Sequence, residues 1–201
     1  MKAVVLLSGD IKSAVLLQEL HNRNEAVRAL TFNIGQESPK YINAAHDQAE
    51  RLAVPFQMID LLELLTFSTD RGEEQAIPPP NIGMIMIAVA ASCAITAGYD
   101  AVAIAARPDG EEPERRLLYM RYLDSALKHA NKDAVSLYAP HMNFQPADII
   151  QLGRQNGTDF ALSWSCQVNM GKHCGTCTGC KERRQMFADA KVKDSTEYIA
   201  D

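Results

Sequence analysis

The chain has 201 residues, of which 47% are hydrophobic and 22% charged; this suits one folded domain with a small appendage and excludes wholesale disorder. Its 25 acidic and 20 basic residues give a formal charge of −5, which argues against holding nucleic acid mainly by phosphate neutralisation, a task that needs a basic face. A small phosphate-bearing ligand stays compatible, because backbone N–H groups bind phosphate without net charge.

In chain order, residues 3–7 (AVVLL) are predicted as a strand and 13–22 as a helix with Ala14, Leu17 and Leu20 on one face. A second strand is predicted at 27–33, a second helix at 40–52, and a third strand at 56–61 after the Val54-Pro55 break. Residues 81–97 read as a helix that is apolar nearly all round and therefore expected to lie under other elements. A fourth strand at 101–105, an amphipathic helix at 114–130, a fifth strand at 135–138 and a helix at 146–155 complete the alternation. Residues 70–80 and 109–113 read as surface loops. Strand–helix alternation at this spacing predicts a parallel sheet with helices on both faces. Such sheets bind ligands in the loops that leave the carboxyl ends of the strands, which directs attention to Ser8–Ser13.

The opening apolar core, ended by Ser8-Gly9, is too short for a secretory signal. The longest apolar run, 82–97, has sixteen residues, below the about 20 of a membrane span. The expectation is a cytoplasmic protein without a membrane segment, where clustered cysteines more often mean metal than disulfide.

Four of the five cysteines fall within fifteen residues, as Cys166-x7-Cys174-x2-Cys177-x2-Cys180, with Gly175 and Gly179 between them. The overlapping C-x2-C spacings bring thiolates within reach of one ion, and four thiolates around tetrahedral Zn2+ make a closed structural site. An iron–sulfur cluster is one alternative, although the fourth position of its usual run is Arg184 here; a disulfide pair is the other. His173 reads as a solvent-facing loop residue rather than a replacement ligand, and Cys93 as a small buried hydrophobe.

The segment AVVLLSGDIKSAVLL has the form strand, Ser-Gly loop, helix start. Backbone N–H groups of residues 9–13, with the Ser8 and Ser13 hydroxyls, would make an anion cradle at the positive helix end; the plainer reading is a turn with Ser13 as N-cap.

Taken with LTFNIGQ, AERLAVPFQMIDL, DIIQLGRQNGTDFALSWSC and CGTCTGCKERRQMFADA, the chain resembles the 7-cyano-7-deazaguanine synthases of the PP-loop ATP pyrophosphatase superfamily. The resemblance implies a Rossmann-like parallel α/β fold of the adenine nucleotide alpha hydrolase kind. Residues 1–160 would form the PP-loop-like domain, and 161–201 a small C-terminal zinc-binding module packed on it. It implies zinc ligands at Cys166, Cys174, Cys177 and Cys180, with Arg183 as the final residue of the motif. ATP and pyrophosphate would meet Ser8, Gly9, Asp10, Ile11, Lys12, Ser13, Gly35 and Gln36, with Asn81 and Arg116 facing substrate; Asn81 reads equally well as the N-cap of the 81–97 helix. It further implies ATP, Mg2+, ammonia and a 7-deazaguanine acid as reactants, with amide or nitrile as product. The apolar helix at 81–97 would offer a homodimer contact, although core burial explains it without a partner. No catalytic residue is assigned.

Several positions depart from the family pattern. Its Ser-Gly-Gly-x-Asp-Ser loop is Ser8-Gly9-Asp10-Ile11-Lys12-Ser13, so Asp10 brings a negative charge toward phosphate and Lys12 replaces the aspartate that helps hold Mg2+. Lys12 would instead neutralise phosphate as a point charge, or pair with Asp10. Pro80 stands for an arginine, Pro146 for a lysine, and Asn33-Ile34 for Asp-Tyr. The Glu112–Arg116 stretch keeps a proline and Arg116; Arg115 and Arg121 read as a solvated helix face, and Arg107 and Asp109 as a loop at the sheet's ligand edge. Two functional classes follow: an ATP-dependent amide- or nitrile-forming ligase, and a relative that binds a nucleotide or deazaguanine without catalysis.

Overall fold

The computed structural model describes residues 1–36, 38–62, 81–105 and 113–200, with the side chains of 113–116 left aside. The elements are β1 (Lys2–Leu6), α1 (Ile11–Asn22), β2 (Ala26–Asn33), α2 (Lys40–Arg51), β3 (Phe56–Asp60), α3 (Ile82–Thr96), β4 (Ala101–Ala103), α4 (Pro113–Ala130), β5 (Ser136–Tyr138), α5 (Pro146–Asn156), a 3-10 turn (Phe160–Leu162) and α6 (Thr178–Asp189). The strands form one parallel sheet in the order β3-β2-β1-β4-β5. The strand order turns back at β1, so β1 and β4 flank the switch point where a ligand crevice is expected.

Alternation along β1 sorts the core into two layers. Val4 joins Ile87, Ala90, Ala91 and Ala94 of α3 and Met120 and Leu127 of α4, with Leu6 packed beside them. Ala3, Val5 and Leu7 face Leu16, Leu17 and Leu20 of α1 and Ala45 and Ala49 of α2. A third cluster joins Ile11 and Val15 of α1 to Ile149 and Ile150 of α5 and Phe187 of α6. Gly153 permits this approach: a Cβ there would lie 2.7 Å from Val15 Cγ2 and 2.6 Å from Phe160 Cζ.

Three expectations change. Helix α1 begins at Ile11, and its N-cap is Asp10, not Ser13; the aspartate carboxylate reaches the Ser13 N–H at 2.8 Å, which starts the helix earlier. Helix α3 is not covered all round. Ile87, Ala90, Ala91 and Ala94 are buried against the sheet, whereas Met84, Ala88 and Ser92 are exposed along the opposite side. Its lack of charge therefore does not mean burial on every face. Cys93 is half-buried at the edge of that core. The loops expected at 70–80 and 109–113 fall, apart from Pro113 at the start of α4, outside the described residues.

Candidate functional site

The β1–α1 loop is held by distant parts of the chain. Gly9 has φ +83°, and a Cβ on it would lie 2.0 Å from the Tyr41 carbonyl oxygen; no other residue fits this conformation and approach. The Gly9 carbonyl accepts from the Trp164 backbone N–H at 2.9 Å and from Gln48 Nε2 at 3.0 Å. Ser8 Oγ donates to Ser13 Oγ at 3.0 Å, and Ser13 Oγ to the Asp10 carbonyl at 3.2 Å.

This loop forms one wall of a 320 Å³ cleft at the switch point. Leu6, Ser8, Asp10, Lys12 and Ser13 come from the β1 side, Ile104 and Ala105 from the end of β4, and Gly83, Met86 and Ile87 from α3. The charged groups among them are Asp10 and Lys12. Lys12 makes no ion pair among the described residues, so the expected pairing with Asp10 is absent. Its ammonium and the positive end of α1 face a mainly apolar opposite wall, an arrangement suited to an anion attached to an apolar body.

The other expected site residues are placed differently. Ile11 is buried in the third core cluster, leaving only its backbone for a ligand. Gly35 has φ +72°, and the Gln36 amide turns back to donate to the Phe32 carbonyl at 2.7 Å and accept from the Ile34 N–H at 3.1 Å. Neither lines the cleft. Asn81 precedes α3 in the left-handed region at φ +64°, exposed and without a side-chain capping bond. Pro146 begins α5 behind Gln145, whose N–H donates to Asp148 at 2.9 Å in a capping box; the lost lysine has become a helix start. Arg121 is exposed. Residues 78–80, Arg107, Asp109 and Glu112, and the side chains of Arg115 and Arg116, lie outside the described residues.

The second candidate centre is the cysteine cluster. The sulfurs of Cys166, Cys174, Cys177 and Cys180 all lie within 4.8 Å of one another and could hold a metal ion. All are free thiols, as is Cys93, so no disulfide forms among them. Backbone N–H bonds to Cys174 from Cys177 and Thr176, at 3.3 and 3.4 Å, push its thiol down to about 6. Burial raises Cys180 and Cys166, as expected for thiols packed together without a cation.

The expectation of a solvent-facing His173 is overturned. Its ring is buried and packs on Trp164, with centroids 4.2 Å apart. Its Nε2 accepts from the Ser165 N–H at 3.1 Å. Burial, and then the Arg183 guanidinium, push it down to about 4. A neutral ring is needed for that acceptor role, and ligation by Nε2 would break the bond.

Arg183 and Gln48 are the residues whose roles a sequence reading misses. Arg183 is 1% exposed. It donates to Ser163 Oγ at 2.8 Å, to the Phe160 carbonyl at 2.9 Å and to Asp194 Oδ2 at 3.2 Å. Burial opposes ionisation of Asp194, but Arg183 and bonds from Tyr198 and Thr196 outweigh it and hold the carboxyl below its usual range. The tail then closes over the cluster: Arg184 covers the Tyr198 ring at 4.1 Å, and the Ile199 N–H donates to the His173 carbonyl at 2.8 Å. For Gln48 a faint signal existed, a polar residue on the Ala44, Ala45, Ala49 stripe of α2.

A family model described as the queuosine biosynthesis protein QueC matches residues 2–191. A 7-cyano-7-deazaguanine synthase from Rhizobium meliloti (strain 1021) is 36% identical over 98% of this chain and 92% of its own length. One from Caldicellulosiruptor bescii is 30% identical over 98% and 97%. Among solved structures, the NMN synthetase from Francisella tularensis superposes with a TM-score of 0.61 at 15% identity, over 96% of this chain and 79% of that one; that likeness concerns the fold. With a family match over nearly its whole length, the chain belongs to the queuosine biosynthesis QueC family.

Proposed function

We propose that this protein is an ATP-dependent 7-cyano-7-deazaguanine synthase, converting 7-carboxy-7-deazaguanine to its amide and nitrile. The observation that carries the reading is the family match over residues 2–191. The switch-point cleft supports it, because its Ser8–Ser13 wall combines a helix N-terminus with the Lys12 ammonium. In this reading residues 1–160 form the nucleotide-binding domain, and 161–201 a module packed on it. The substrate carboxylate attacks the α-phosphorus of ATP, giving an acyl adenylate and pyrophosphate. Ammonia then displaces AMP to give the amide. The amide oxygen then attacks the α-phosphorus of a second ATP, releasing pyrophosphate and one amide proton, and loss of AMP with the remaining N–H proton leaves the nitrile. Ser8, the backbone of 9–13 and Lys12 would hold the departing pyrophosphate, with Gly35 and Gln36 beside the nucleotide and Asn81 and Arg116 toward the base.

Zinc is the metal that the cysteine cluster fits best. Sulfur at about 2.3 Å from a tetrahedral Zn2+ sets neighbouring sulfurs about 3.8 Å apart, and the Cys174–Cys180 and Cys166–Cys177 pairs both stand at 3.9 Å. Four thiolates leave no open position, so the ion would cross-link the tail and take no part in the reaction. Among the described residues Asp10 is the sole carboxylate on the cleft wall, with one oxygen bound to the Ser13 N–H. Lys12 cannot ligate a cation, so Mg2+ would arrive on the phosphates of ATP. The exposed side of α3 around Met84, together with Leu118 and Tyr122 of α4, suits a homodimer contact.

The test is incubation of the zinc-loaded protein with ATP, Mg2+, ammonia and the acid. AMP release with amide or nitrile detected by mass spectrometry is expected; absence of all three overturns the reading. One observation favours a second reading, a binding protein without catalysis: the Asp10 carboxylate already occupies a backbone donor of the cradle. Calorimetry separates the two. Mg2+-dependent ATP binding by the wild type supports the enzyme. Such binding seen only after Asp10→Gly with Lys12→Asp supports the second.

A further inference from the structure

The Gln48 side chain is 5% exposed, and its amide bridges two elements that are remote in sequence. Nε2 donates to the Gly9 carbonyl at 3.0 Å and to the Leu162 carbonyl at 3.1 Å. Two facing carbonyls require the NH2 end there, so the amide cannot be reversed. Its Oε1 is consequently buried with no partner among the described residues, an arrangement that costs stability. The Leu162 side of the bridge is fastened to α6, because Arg183 binds the Phe160 and Ser163 carbonyls and the Ser163 hydroxyl. Helix α6 also carries Cys180. On the other side, the Trp164 N–H donates to the same Gly9 carbonyl, two residues before Cys166. Hydrogen bonds joined by short stretches of backbone thus connect the cysteine cluster to the turn that starts the cleft wall.

We propose that Gln48 is a positioning residue that couples the cysteine module to the Ser8–Ser13 loop, so that metal loading sets the loop's geometry and its hold on an anion. The assignment of the loop as a pyrophosphate site rests on the proposed function; the coupling does not. A small shift of residues 160–166 on metal loss would move both donors to Gly9 together, while the tight contact of Gly9 with Tyr41 leaves the loop few alternatives.

The test uses Gln48→Met, which keeps length and volume but removes both N–H donors. Amide hydrogen exchange of residues 8–13 is followed in the zinc-loaded and chelator-stripped protein, alongside metal content, melting temperature and calorimetry with inorganic pyrophosphate. Stripping is expected to accelerate exchange at 8–13 at least about fivefold in the wild type, the lower end of the about 5–150-fold that couplings between sites produce. Zinc-loaded Gln48→Met should already exchange fast, respond little to stripping, and bind pyrophosphate about tenfold more weakly at unchanged metal content. Wild-type-like exchange and stripping response in Gln48→Met overturns the proposal, as does a wild-type loop indifferent to stripping. If the wild type binds no pyrophosphate, the anion-site reading falls and the exchange data still decide the coupling. If Gln48→Met does not fold, Gln48→Glu, which presents a carboxylate to two carbonyls, is read in the same way.

Discussion

The Ser8–Ser13 loop and the Cys166–Cys180 segment are both tight backbone turns built around glycine, but they are secured from opposite directions. Around the cysteines much of the support is near in sequence: Cys174 accepts from the N–H groups of Cys177 and Thr176, and the ligands recur at short spacings. The β1–α1 loop takes its shape from Tyr41, Gln48 and Trp164, on α2 and in the C-terminal lead-in. A region secured locally has a strict sequence signature, because its partners must sit at fixed spacings. One secured from afar accepts new side chains, such as Asp10 and Lys12, as long as the backbone anchors remain.

The largest effect in either region should come from Cys180→Ser. Metal content is expected to fall from about one ion per chain to almost none, because the other three sulfurs cannot close a four-coordinate site alone; elemental analysis with limited proteolysis of the tail checks it. An unchanged metal content would remove Cys180 from the ligand set. Arg183→Met comes next. It removes the cation paired with Asp194 and the guanidinium donors to the Phe160 and Ser163 carbonyls, and should cost about 3–5 kcal/mol in urea denaturation. A loss under about 1 kcal/mol would show that water replaces the guanidinium readily.

Gly9→Ala is the matching break in the loop. Positive φ and the collision with the Tyr41 carbonyl should cost at least about 2 kcal/mol, visible as a lower denaturation midpoint. A near-neutral result would mean that α2 yields at Tyr41, and would weaken the contrast between the two regions. The smallest effect is one of pH. Asp194 is held below its usual range in the fold, so its contribution is full above the unfolded value of about 4 and is lost as pH falls through the lower folded value. The stability advantage of wild type over Asp194→Asn should therefore be full above about pH 4 and shrink as pH falls below it. A pH-independent difference would assign the role of Asp194 to shape rather than charge.

Much of this was legible in the chain itself. Alternating apolar runs located all five strands and the helices between them, because strand and helix periods are local properties. Helix α6 escaped notice because its sequence, TGCKERRQMFAD, has a weak apolar stripe and begins inside the cysteine motif. The start of α1 was misplaced because either Asp10 or Ser13 can cap, and only the fold shows which carries the bond. His173 looked like a loop residue because nothing near it in sequence announces Trp164 and Tyr198 on either side of its ring.

Composition and spacing by themselves pointed to an acidic chain with a parallel α/β sheet, four clustered cysteines near the C-terminus and a Ser-Gly loop after the first strand. Only the tertiary structure decided how the four crowded cysteines relate to the rest of the molecule. The appendage is tied to the cleft through Arg183, residues 160–164 and Gln48. It also decided which of the expected ligand-loop residues line the cleft: Asp10 and Lys12 do, whereas Gly35 and Gln36 do not. The reason is physical: periodicity and ligand spacing act between near neighbours in the chain, while burial and hydrogen-bond pairing are settled by whichever distant segments packing brings together.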